Sequence, residues 1–554
     1  MPKLYPNLDN LNYVDDRRLS TVQQSNCGQI FTKGTTLTKG ILEKFEGVEI
    51  GPKKASLCGR KFNTRQLWVL AGLCLLFLTS CLGISLMFGT TTFDSYVLSN
   101  LILSNTSASY YIWKGPAVKS YLKVHIFNYT NVEQYEKGID GKLRVNEVGP
   151  FYYEEYLEKV NVKFHPNGTV SYQEKRTQHY RQDLSNGLQK NVTVVVPNIP
   201  LFGAAAMGKE SFYVARVTMS TVLKGLFSKP FLDIEVDDYL WGYNDAVYII
   251  AKQLLKFNRN SPPFDKVGMF IQRRGISKQV LNMHTGVTDI NKVQQLDNFN
   301  GKNHTTHWAA KECNAIRGGD GSAFPPFDVR TKQTVYVYNK EMCRSLPLLY
   351  QQDVKIFNGK INGLKYVLPT DAFDVKSNQE NRCYCNPEDK ECSPKGVFNT
   401  APCAYNTPIF VSFPHFYNAD PAVREAVEGL REDIPHENYV IIHPTLGFTM
   451  SGRNRIQLNV QVQKSYGMEQ MDMFHDDIIL PIAWVDMGVD EMDLPESIKD
   501  KIYLTSLTVP AIEMCFKYGN ILAAVVTFTA ILIILRSKWI KEQNKIKSRE
   551  HNLI

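Results

Sequence analysis

Residues Leu67–Phe88 read LWVLAGLCLLFLTSCLGISLMF, a run without a single charge. As a helix rising about 1.5 Å per residue it spans about 33 Å, against about 30 Å of bilayer hydrocarbon. It starts too far into the chain to be a cleaved leader. Gly519–Leu535, GNILAAVVTFTAILIIL, is a second uncharged run. It is slightly short, and Lys517 and Arg536 at its ends can reach the interfaces. The two runs predict a chain that passes the membrane twice. It divides into an N-terminal tail 1–66, a span 67–88, a large domain 89–518, a span 519–535 and a tail 536–554.

Charge sets the orientation. The first tail holds eleven Lys/Arg against six Asp/Glu and the last six against two, so the tails carry +9 and the rest of the chain about −1 of the net +8. A basic excess placed there argues against a nucleic-acid surface on the body. Positive flanks stay on the cytosolic side, so both termini are expected in the cytosol and the domain outside. N-x-Ser/Thr sequons at Asn105, Asn128, Asn167, Asn191 and Asn303 all fall in that domain, which fits a glycosylated ectodomain. Residues 1–66 show little periodicity and read as largely disordered.

The outside placement decides the cysteines. NRCYCNPEDKEC (381–392) crowds Cys383, Cys385 and Cys392 together, and Cys313, Cys343 and Cys403 complete six in the domain. In an oxidising compartment an even set pairs as disulfides, with the connectivity open. C-x-C followed by long gaps fits zinc ligation poorly. No metal and no cofactor is expected.

Within the domain, YLKVHIFNYT, NVTVVVP, KQTVYVYN, LKYVLP, PIFVSF, RIQLNVQVQ and IILPIAWV read as strands between turns. GGDGSAFPPF (318–327) reads as a turn. Helical spacing runs through Ala215, Met219, Val222 and Leu226, part of a helix expected over 203–228, and DAVYIIAKQLLKF (245–257) reads as another. G-x-S-x-G, H-E-x-x-H and phosphate-loop motifs do not occur, so a receptor is favoured over an enzyme. His304 and His307 read as part of a polar loop.

Several blocks taken together resemble the class B scavenger receptor family: RVNEVGPFYYEEY (144–156), YLWGYND (239–245), SAFPPF (322–327), MCRSLPLLY (342–350), FVSFPHFYNADP (410–421) and HPTLGFTMSGRNRIQLNV (443–460). The likeness covers about residues 67–540. It implies an α+β membrane protein whose two transmembrane helices flank an antiparallel β-barrel core with an apical helical bundle. It implies the pairings Cys313–Cys383, Cys343–Cys403 and Cys385–Cys392. It also implies an apolar tunnel that carries lipid towards the bilayer, and basic residues in the bundle that meet anionic ligands. Lys224 and Lys229 match that part of the chain, with Lys209 and Arg216 expected earlier on the same helix.

The expected role is a scavenger receptor for lipids, lipoprotein particles or anionic ligands, passing hydrophobic cargo inward. The alternatives are a sorting receptor for a lysosomal protein partner, or a phagocytic or adhesion receptor without lipid transport. A multi-pass protein of two spans is expected at the plasma membrane or in endosomes and lysosomes. The closing REHNLI approximates an acidic dileucine sorting signal.

Overall fold

The computed structural model describes residues 55–57, 60–115, 118–257, 264–385, 392–464 and 467–552. It divides into a unit of residues 1–85 and 517–554 and a unit of residues 86–516.

The larger unit is built on strands β1 (Ser120–Tyr129), β2 (Leu143–His165), β3 (Thr169–Tyr180), β4 (Thr193–Pro197), β5 (Phe231–Glu235), β6 (Leu281–His284), β7 (Leu296–Phe299), β8 (Val335–Asn339), β9 (Arg344–Ile356), β10 (Ile361–Val367), β11 (Ile409–Ser412), β12 (Tyr439–Ile442), β13 (Thr449–Gln461) and β14 (Ile479–Val489). Each of the seven expected strand segments overlaps one of them. The main sheet runs β7-β6-β3-β2-β1-β14-β13-β12-β10-β9-β8, with every ladder antiparallel. β4 and β5 form a separate pair.

The two ends of this sheet are joined by GGDG, the tract expected to be a simple turn. The Gly318 carbonyl accepts the Leu296 N–H of β7 at 2.9 Å, and the Gly319 carbonyl accepts the Tyr338 N–H of β8 at 3.0 Å. Two residues thereby bridge the edge strands and close the ring, which removes its exposed edges. Only glycine fits: a Cβ on Gly318 would overlap the Tyr336 carbonyl, and one on Gly319 that of Gln294.

Helices α1 (Ile199–Lys209), α2 (Tyr213–Gly225) and α3 (Ala246–Phe257) form the helical part relevant to function. α1 sinks into the largest apolar cluster, where Leu201 and Phe202 join Leu122, Val124, Phe151 and Leu480. The Asp245 carboxylate accepts the Tyr248 N–H at 2.8 Å and caps α3.

The smaller unit holds the two apolar helices. The first runs Thr64–Gly89, slightly beyond the expected 67–88, and only Leu70 and Ser80 are buried along it. The last runs Val509–His551, far beyond the expected 519–535, because the charged tail that follows is made of good helix formers. Both are long and apolar enough to cross a membrane. Phe77 stacks on Phe528, with ring centroids 5.6 Å apart. In the first tail, which the sequence reads as largely disordered, Ala55–Leu57 pairs with Arg60–Phe62. The rest of that expectation, with Leu553 and Ile554 of the sorting signal, lies outside the described residues.

Candidate functional site

The expected single helix over 203–228 is two helices. Asn198 opens α1 by accepting the Leu201 N–H at 3.3 Å, with Pro200 in the first turn. At the other end the Ser211 hydroxyl and N–H bond to Met207 and Gly208 carbonyls, and Phe212 turns extended at φ −71°, ψ 157°. That local bonding ends α1 and lets α2 start in a new direction. Lys209 and Arg216 therefore sit on different helices.

α2 buries Ser220 and Leu223. Ser220 donates to Gln470 Oε1 at 3.2 Å, and Gln470 donates back to the Ser220 carbonyl at 3.1 Å. Ala215, Met219 and Leu226 are half-buried, but Val222 of the expected stripe faces outward. A second apolar row is more exposed: Tyr213, Val214 and Val217 stand at 54%, 65% and 37% exposure, beside Phe212 at 73%. The sequence carried a signal for this row. The apolar positions of α2 occupy two adjacent stripes, and one helix face can bury only one of them.

The basic residues are less free than expected. Lys224 Nζ lies 2.5 Å from the Glu469 carboxylate. Lys209 Nζ lies 3.6 Å from both Asp476 and Asp477. Arg216 is half-buried, and its Nε has no hydrogen-bond partner among the described residues. Lys229 and Lys224 line a cavity of about 300 Å³ with Phe227, Ser228, Glu469 and Gln470. The surface is thus mostly apolar and threonine-rich, with Lys209 and Lys224 at its edges already offset by carboxylates.

Other signature blocks turn out to hold the scaffold. In NEVGP, a Cβ on Gly149 would lie 2.8 Å from the Val124 carbonyl, so the glycine lets β2 cross β1 closely. Glu147 accepts from His125 Nδ1 at 2.6 Å, from His415 Nε2 at 3.0 Å and from Arg431 Nη2 at 2.7 Å. Burial alone would raise its carboxyl, but these partners hold it well below the usual carboxylate range. His415 Nδ1 accepts the Arg431 N–H at 3.0 Å. In HPTLGF, His443 Nδ1 accepts the Thr445 and Leu446 N–H groups at 3.2 and 3.1 Å, and burial pushes this histidine down to about 4.

The three disulfides pair as the resemblance implied: Cys313–Cys383, Cys343–Cys403 and Cys385–Cys392. Tyr384, between two of these cysteines, sets its ring 4.4 Å from the buried Arg344 guanidinium. Asn105, Asn167, Asn191 and Asn303 are exposed, while Asn128 is half-buried and accepts the Val195 N–H of β4 at 2.8 Å. His304 bonds to Asn303 Oδ1 and His307 to the Pro402 carbonyl. Among the described residues no group of three or more His, Cys, Asp or Glu is arranged to hold a metal ion.

Comparison with known proteins gives a consistent picture. A model of the CD36 family matches residues 70–535. Scavenger receptor class B member 1 of Rattus norvegicus is 31% identical over 431 residues, covering 77% of this chain and 82% of the relative. Lysosome membrane protein 2 of Homo sapiens is 29% identical over 375 residues, 67% of this chain and 75% of the relative. Sensory neuron membrane protein 2 of Manduca sexta is 27% identical over 480 residues, 81% of this chain and 91% of the relative.

Proposed function

The chain belongs to the CD36 family, and from that premise we propose that it captures lipid-bearing particles on the exposed face of α2 and passes their hydrophobic cargo to the membrane. The observation that carries this reading is the row Phe212, Tyr213, Val214 and Val217, apolar and largely exposed on a folded surface. An exposed apolar patch costs solubility, and such patches mark interaction surfaces. Lys209, Arg216, Lys224 and Lys229 border the row. The carboxylates paired with Lys209 and Lys224 make it a surface for amphipathic particles rather than for strongly anionic polymers.

In this reading the ring-closed domain faces outward, carries glycans on its exposed sequons, and keeps both tails cytosolic. Cargo reaches the bilayer through an internal passage. The physical reason for a passage is the hydration cost of a lipid chain in water, about 0.8 kcal/mol per CH2. The plasma membrane and the endosomal–lysosomal membranes both suit this role.

The test is Val217→Asp in the full chain, read by binding of fluorescent lipoprotein particles and by uptake of their lipid. We expect binding and uptake to fall together, with thermal stability kept. Unchanged binding overturns the assignment of α2. Uptake that persists when binding is lost overturns the coupling of capture to transfer.

A further inference from the structure

The helix that holds the second membrane run does not stop where the apolar run stops. It continues past Leu535 to His551 without a break, about 24 Å further at 1.5 Å per residue. Helical phase then sorts its side chains. At about 100° per residue, Leu535, Trp539 and Ile546 fall within about 40° of one another. Lys541, Lys545 and Arg549 follow at steps of four and form a row on one flank of that stripe, and Arg536 and Lys547 fall on the other flank. Trp539 and Ile546 are 51% and 52% exposed. An apolar stripe with cations on both flanks is the pattern of a helix that meets a lipid surface.

The charge is available for a partner. Arg536, Lys541, Lys545, Lys547 and Arg549 are exposed and make no ion pair among the described residues. Lys538 and Glu542 already interact and are not counted, which leaves Glu550 as the one exposed acid of the segment. Position says which partner. The segment leaves the apolar run directly, so its first turns stand at headgroup level. Helical side chains lean towards the helix N-terminus, which here is the bilayer side, so the long basic side chains reach back to the headgroups. Tryptophan is favoured at that level.

We infer that residues 536–551 dock on anionic phospholipids of the cytosolic leaflet, with Trp539 and Ile546 entering the headgroup layer and Arg536, Lys541, Lys545, Lys547 and Arg549 meeting the negative headgroups. Each such cation near an anionic leaflet is worth about fivefold in binding. The inference rests on the proposed placement of both tails in the cytosol, and adds the lipid class that the second tail recognises. An acidic protein on the same face is the competing occupant.

The test places the full chain in nanodiscs of phosphatidylcholine alone and of phosphatidylcholine with a minor fraction of phosphatidylserine, and follows amide hydrogen exchange over residues 536–551. Exchange is expected to slow at least about tenfold in the anionic discs and to recover in high salt, which screens the attraction. The triple variant Lys541→Gln, Lys545→Gln, Arg549→Gln removes one row at little cost in helix propensity. It should exchange at the same rate in both discs. The pair Lys541→Arg, Lys545→Arg keeps the charge and should keep the slowing; its loss overturns the inference. Equally slow wild-type exchange in both discs gives the face to packing within the protein, and equally fast exchange gives it to a protein partner. Either result overturns the inference, as does a triple variant that still slows in the anionic discs. An epitope on the C-terminal tail that is stained on intact cells overturns the cytosolic placement itself. A hidden epitope with no lipid effect in the discs leaves the placement standing and removes the docking.

Discussion

Glu174 and Val214 are both out of place by the ordinary rule that charge lies outside and apolar groups inside. Glu174, on β3, is 4% exposed, and Val214, on α2, is 65% exposed. The protein treats them differently. Glu174 accepts from Lys340 Nζ at 2.6 Å and from Arg176 Nη2 at 3.1 Å. Burial would raise it, but Arg176 and Lys340 bring it down to about 2. Its neighbour Glu155 is held by Arg176 and Arg273 in the same way. The buried charges are answered from within, so they are scaffold. The apolar row on α2 stays largely exposed, and in the proposed reading it is the face that meets particles.

That contrast can be broken most forcefully at the ring closure. Gly318→Ala drives a methyl group into the Tyr336 carbonyl. It is expected to cost more than about 4 kcal/mol, read as loss of folded, glycan-processed protein at the cell surface. A normally folded variant would show that the sheet ends are not joined tightly there.

Acid should weaken the scaffold and spare the α2 face. His443 is neutral in the fold, with its value near 4 rather than the ordinary 6.5. The unfolded chain therefore takes up that proton first, and stability is lost as pH falls from about 6.5 towards 4, by about 3 kcal/mol. Below about 4.5 Glu147, Glu155 and Glu174 add further loss, because their carboxyls take up protons in the unfolded chain while the fold holds them ionised. Melting temperature followed from neutral to acid pH should drop over this window. A His443→Gln variant should start lower and fall less steeply down to about pH 4.5.

The smallest effect sharpens the comparison from the other side. Val214→Ala trims an exposed side chain and should change stability by less than about 0.5 kcal/mol, while measurably weakening particle binding. A large loss of stability would mean that the row packs against something within the protein.

Much of this architecture was legible along the chain. The two membrane runs, the strand segments, the helix over 245–257 and the even set of six cysteines are local or compositional, and local signals survive folding. The cysteine pairing was carried by resemblance, because six thiols leave many connectivities open. The α1–α2 break was missed because the apolar spacing continues across Ser211, whose bonds to Met207 and Gly208 end the helix. The lysines suggested a cationic site because their partners Glu469, Asp476 and Asp477 lie some 250 residues further on.

The amino-acid order alone determined that this chain crosses a membrane twice and that its large domain is built of strands, since the length and period of apolar runs are enough for both. Only the tertiary structure decided that two glycines close the ring, that Lys209 and Lys224 of the helical layer are already paired, and that one apolar row is left outside. Each of those depends on which distant residues meet, and a long loop brings them together for a closure entropy that grows only slowly with its length.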